Sequence, residues 1–272
     1  MNVDVATEII RERSLPVRAI RDALAVTGRN LIAYRRVPQL LVFSTIQPVI
    51  FVVMFRYVFG GAIGVPVPGL PYVDFLMPGV FVQTVVFGAM ATAIGLATDM
   101  KSGLMERFRS LPMARSAVLA GRTLADLTRN LFVVVLMLAV GFLVGFRVHT
   151  DVLGLLGGIL LLLAFGYAMS WIFASVGLLV GDPETAQAAS FPLLAPLVFA
   201  SSLFVPVQSM PGWLQGWANH QPVSVTAKAI RYLTLGESPV GQPSDLWESL
   251  IWIAGILLVF APLAVRRYRR AV

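Results

Sequence analysis

The 272-residue chain has no cysteine and only two histidines, His149 and His220. No disulfide, thiolate metal site or cysteine nucleophile can form, and a histidine metal cluster is nearly excluded. Charge is also scarce, at 13% of residues against about 25% in a soluble domain, while 57% are hydrophobic. The charges are missing from particular places. Phe75 to Thr98 carries none over 24 positions, and Leu131 to Phe146 none over 16. An apolar run of about 20 residues crosses a hydrocarbon core of about 30 Å, so these runs read as membrane spans.

Catalytic signatures are missing as well. G-L-A-T-D-M-K-S at 95–102 falls short of a phosphate-binding loop, because Met100 replaces the second glycine and no strand precedes it. There is no H-E-x-x-H and no serine–histidine arrangement worth naming. The chain is therefore not expected to be an enzyme or to bind a cofactor. Its net charge of +7 lies mainly beside the apolar runs, where anionic lipid reads it, which argues against nucleic acid.

Six spans are expected, at 38–59, 75–98, 124–146, 152–180, 186–207 and 247–265. The fourth is long enough to tilt, and Pro192 and Pro196 should kink the fifth. With both termini inside, sixteen Lys and Arg fall on the cytoplasmic side and four on the outer side, a bias that fixes orientation. Arg56 and Arg129 are expected to snorkel from span ends, leaving no ionisable group at mid-span. No secretory signal peptide is read at the start, so the first span serves as the anchor. The expected organisation is a cytoplasmic segment with an amphipathic helix at 1–37, a membrane domain at 38–265 and a basic cytoplasmic tail at 266–272. The fold class is an all-α polytopic membrane protein.

Four segments outside the spans carry information. In the first, Val17, Ile20, Leu24, Thr27 and Leu31 recur at helical spacing, with Ser14 as cap and Pro16 in the first turn. That pattern suits an amphipathic helix in the inner interface. The second is a charged island, M-E-R-F-R-S-L-P-M-A-R at 105–115. A helix there puts Leu104, Phe108 and Leu111 on one face and ends before Pro112. On spacing alone it reads equally as a docking helix for a soluble partner or as an ordinary basic loop. The third, G-D-P-E-T at 181–185, offers Asp182 as a helix cap and Glu184 in the first turn. In the fourth, 206–236, Pro206, Pro211 and Pro222 leave an apolar stretch too broken to span. Trp213 and Trp217 lie one turn apart, with Lys228 and Arg231 following. It reads as a pair of outer re-entrant helices with an aromatic belt. His220 is expected to be a hydrogen-bonded surface residue.

Three stretches carry a family resemblance: the island E-R-F-R-S-L-P-M-A-R at 106–115, F-L-M-P-G-V-F-V-Q at 75–83, and F-P-L-L-A-P-L-V-F-A-S-S-L-F-V-P-V-Q-S-M-P-G-W-L-Q at 191–215. The last is followed by N-H-Q-P-V-S and A-I-R-Y-L. In this order the chain resembles the ABC type-2 permeases, membrane subunits of exporters such as daunorubicin-resistance and polysaccharide-export systems. The resemblance implies a six-span permease in a prokaryotic plasma membrane. It implies pairing with a second permease, identical or homologous, and with two ATPase subunits that bind ATP and Mg. It also implies that Leu104, Met105, Glu106, Arg107, Phe108, Arg109 and Leu111 form the coupling helix against the ATPase. The family's amphipathic helix falls on about 15–33 and its outer re-entrant helices on about 209–232. Gln47, Gln83, Ser201 and Ser202 are candidates to line a pathway, or equally to make helix–helix hydrogen bonds. Many members carry Asn-Pro where this chain has Gln221-Pro222.

The few interior charges suit an amphipathic drug, antibiotic or lipid as substrate. An ion-coupled secondary carrier is the rival reading, although such carriers place Asp, Glu or His at mid-membrane. A membrane enzyme lacks a catalytic constellation, and a non-transporting scaffold stays open.

Overall fold

The structure, a computed structural model, describes residues 39–63, 67–103 and 115–271, together with positions 21, 24, 25, 27, 28 and 32. From residue 39 onward the described α-helices are α1 Gln39–Val53, α2 Tyr72–Lys101, α3 Arg115–Val144, α4 Val152–Val180, α5 Pro183–Phe199, α6 Gly212–His220, α7 Pro222–Leu235 and α8 Pro243–Ala271. A π-helical segment, Met54–Phe59, extends α1 and carries Arg56. No strand occurs among the described residues.

Among the described residues, four helices are long and apolar enough to cross a membrane: α2, α3 from Ala120, α4, and α8 as far as Tyr268. The fourth expected span matches α4 end to end. The fifth is shorter than expected, because α5 stops at Phe199, one turn past Pro196, after 17 residues. At 1.5 Å per residue it is about 25 Å long.

Local chemistry sets the helix ends. Asp151 starts α4 by accepting from Gly154 N–H at 2.8 Å. Gly181, at φ +72°, closes the same helix in a left-handed conformation that suits glycine. Asp182 caps α5 by accepting from Thr185 N–H at 3.1 Å, with Pro183 and Glu184 in the first turn as expected.

The core centres on α2, which is buried along most of its length and packs most extensively on α4. Small residues permit that approach: a Cβ on Gly177 would overlap the Ala93 carbonyl oxygen. Contacts at the helix ends show that consecutive long helices alternate in direction. Asp74 meets Arg147 at one end of the bundle, and Asp99 meets Arg122 at the other. Lys101 of α2 meets Asp182 before α5 at this second end. The helices α6 and α7 sit at the first end. Outward faces are apolar, as on α8, where Ile251 and Leu258 are exposed. This reverses the pattern of a soluble bundle and is what a lipid surround requires.

Candidate functional site

A cavity of about 160 Å³ opens between α1, α2 and α3. Its polar lining comes from Gln47, Gln83, Thr84, Arg129 and Asn130, set among apolar groups such as Phe87 and Val133. Gln47 and Gln83, two of the pathway candidates, are thus brought together. Gln83 is 1% exposed, and its Oε1 has no hydrogen-bond partner among the described residues. The other two candidates lie elsewhere. Ser201 Oγ donates to the Val198 carbonyl, and Ser202 sits in the turn after α5, where its backbone N–H donates to Ser224 Oγ at 2.9 Å.

Arg129 does not snorkel. Its helix begins at Arg115, nine residues before the expected span, so Arg129 falls at the middle of α3. The side chain is buried, and Nη2 donates to the Gly88 carbonyl at 2.5 Å and to Asn130 Oδ1 at 3.4 Å. Gly88 is itself midway along α2, so a buried cation lies at the middle of both helices, where the sequence expectation has it near a span end. The reason is a close approach of the two helices: Gly88 has no side chain, and a Cβ there would overlap Asn130 Oδ1. A guanidinium at the membrane centre costs about 2.5–3.5 kcal/mol, which bonds to a carbonyl and an amide oxygen offset.

Toward the Asp182 end, a second polar group joins the same two helices. Arg122 Nη1 donates to Asp99 Oδ2 at 3.2 Å, and Arg122 Nε lies 3.8 Å from Asp126 Oδ2. Thr92 Oγ1 donates to Asp126 at 2.6 Å, and Asp126 is fully buried. Gly95 makes room, since a Cβ there would overlap the Arg122 guanidinium. The glycine that begins the incomplete phosphate loop is therefore a seat for an arginine within the last two turns of α2. Apolar patterning alone does not mark Asp126 as a buried carboxylate. Its spacing from Arg122 (i, i+4) is the available signal.

At the opposite end, Arg231 is 1% exposed. It donates through Nε to the Phe75 carbonyl at 3.0 Å and through Nη2 to the Ser202 and Leu203 carbonyls at 2.8 and 3.0 Å. Lys228 Nζ donates to Asn219 Oδ1 at 3.1 Å. Trp213 and Trp217 are exposed on α6. His220 is exposed, with Nδ1 3.0 Å from the Gly216 carbonyl oxygen. Asp74, just outside the expected second span, is buried and accepts from Arg147 N–H at 2.8 Å, a pairing the sequence pattern does not reveal.

The island residues Leu104, Met105, Glu106, Arg107, Phe108, Arg109 and Leu111 lie outside the described residues, as does most of the 15–33 helix. Thr27, which is described, is buried and donates to the Gly121 carbonyl of α3 at 3.0 Å.

The family described as ABC-2 type transporter matches residues 21–235. The daunorubicin resistance ABC transporter permease protein DrrB1 of Streptomyces coeruleorubidus is 37% identical over 95% of this chain and 89% of its own length. The doxorubicin resistance ABC transporter permease protein DrrB of Mycobacterium tuberculosis is 31% identical, covering 86% of this chain and 87% of its own. The inner membrane transport permease YadH of Escherichia coli is 25% identical over 80% and 82%. With four long apolar helices among its described residues, the chain is an integral membrane protein, and it belongs to the ABC-2 type transporter family.

Proposed function

We propose that the chain is the permease subunit of an ATP-driven exporter that moves an amphipathic or lipophilic compound, a drug, antibiotic or lipid, out of the cytoplasm or inner leaflet. A second permease copy or homologue and two separate ATPase subunits complete the assembly, with ATP and Mg held by the ATPases. Six passes with both termini cytoplasmic follow from counting α1 and α5 as short spans. Segment 104–111 then faces the ATPase, 15–33 lies along the inner interface, and α6 and α7 form the outer re-entrant pair.

The observation that carries the reading is the cavity between α1, α2 and α3. Its polar groups sit at mid-bundle among apolar ones, the mixture an amphipathic solute needs. The resistance permeases at 31–37% identity support the same substrate class. Affinity purification from native membranes tests the assembly: a nucleotide-binding ATPase co-purifies if the reading holds, and its absence under conditions that retain the permease pair argues against it.

One observation favours the rival, an ion-coupled carrier: Asp126 is a buried carboxylate inside a span. It is, however, engaged by Thr92 and Arg122, and Arg122 by Asp99, an arrangement that suits a fixed clamp better than a proton relay. Transport driven by a proton gradient in ATP-free vesicles would favour the carrier.

A further inference from the structure

A second cavity, of about 90 Å³, lies between the start of α2, the 202–208 turn and α7. A single water needs only about 10–15 Å³ on this measure, so the space admits a group of several heavy atoms. Two cations line it, Lys228 and Arg231, one turn apart on α7, and no carboxylate is among its described lining residues. Arg231 is fixed and buried by its three carbonyl bonds. Lys228 is half-buried and donates to the carbonyl and side-chain oxygens of Asn219, which are neutral acceptors. The carboxylates acting on Lys228 belong to Asp245 and Glu248 of α8, neither of which lines the cavity.

The remaining lining includes neutral hydrogen-bonding groups, Asn219, Gln208 and Ser202. Ser202 is 3% exposed, and its Oγ has no hydrogen-bond partner among the described residues. A buried hydroxyl left unpaired costs about 1–3 kcal/mol. Two cations one turn apart also repel each other where water is scarce. An anion with several acceptor oxygens relieves both costs. Trp213 and Trp217 on the adjacent α6 are exposed, as aromatic residues at head-group level are.

We propose that this cavity is a binding site for a phosphate-class oxyanion, held by Lys228, Arg231 and the Ser202 hydroxyl. The proposal stands on the cavity and is independent of the transport reading. The shared chemistry has two sources, the head group of an anionic phospholipid and free inorganic phosphate.

The test uses the full-length purified chain, with its partners if they co-purify. In detergent, thermal unfolding is followed against sodium phosphate, with sodium chloride at matched ionic strength as control. In nanodiscs, phosphatidylglycerol is compared with phosphatidylcholine. A wild-type midpoint raised by phosphate but not chloride, with affinity about tenfold weaker in Lys228→Gln and retained in Lys228→Arg, supports the free anion. A rise confined to phosphatidylglycerol discs and lost in Lys228→Gln supports the lipid head group. Ser202→Ala, a mild change that should fold, weakens whichever response is seen. No wild-type response in either arm, or equal responses in wild type, Lys228→Gln and Ser202→Ala, overturns the proposal.

Discussion

Arg231 holds Phe75 twice. Its Nε donates to the Phe75 carbonyl at 3.0 Å, and its guanidinium carbon lies 3.8 Å from the centroid of the same ring. The partners are 156 positions apart in the chain, so one side chain ties α7 to the first turn of α2. The same guanidinium reaches the turn after α5, joining three elements at one end of the bundle.

Arg231→Lys keeps the charge but loses the planar fork that reaches Phe75, Ser202 and Leu203 together. Charge-assisted hydrogen bonds are each worth about 1.5–3 kcal/mol, so the variant is expected to lose about 3 kcal/mol of stability. The thermal midpoint in detergent reads this loss. An unchanged midpoint would mean the contacts are incidental.

Gly95→Ala places a methyl where Arg122 lies, displacing a side-chain end rather than backbone. The cost is then loss of the Arg122 contacts to Asp99 and Asp126. Gly95→Ala and Arg122→Ala should therefore be non-additive, with a coupling of about 1 kcal/mol or more in a double-mutant cycle. Simple additivity would separate the glycine from the clamp.

Gln83→Leu removes a buried oxygen that has no partner among the described residues. Stability should hold or rise, since no hydrogen bond of that oxygen is lost and the cost of burying it unpaired, about 1–3 kcal/mol, is removed. Transport should nevertheless fall, by about tenfold if one substrate hydrogen bond is lost. Under the proposed function, ATP-dependent uptake of an amphipathic drug into inside-out vesicles measures it. Full transport would remove Gln83 from the pathway.

Asp182 gives a pH signature. The Lys101 hydrogen bond, followed by those from Thr185, holds its carboxyl down at about 2, against an ordinary 3.8. A depressed carboxyl stabilises the fold fully above its unfolded value, and that contribution is lost as pH falls through the folded one. The midpoint difference between wild type and Asp182→Asn should be full above about pH 4 and shrink toward about pH 2. A difference that grows on acidification would contradict the assignment.

Hydrophobic periodicity and charge placement make α4, the Asp182 cap and the existence of the other long apolar helices legible, because each rests on local composition. What is not legible depends on partners distant in the chain. Arg129 reads as a snorkelling residue because Gly88, 41 positions earlier, is visible as its seat only once α2 and α3 are packed. Arg231 reads only as a basic residue following the tryptophans in the outer segment, since its ligands are backbone carbonyls, which sequence does not distinguish. Gln47 and Gln83 stand out as polar groups in apolar runs, but that they share a cavity without Ser201 and Ser202 follows from packing alone.

The proposed function rests on a separate motor that drives this permease through residues 104–111. Phe108→Asp, reconstituted with the partner ATPase in vesicles, puts that coupling to the test by following transport and ATP hydrolysis together. The expected outcome is loss of transport and of substrate-stimulated hydrolysis, with the permease still folded. Wild-type transport by that variant, or nucleotide hydrolysis by the purified permease alone, would overturn it.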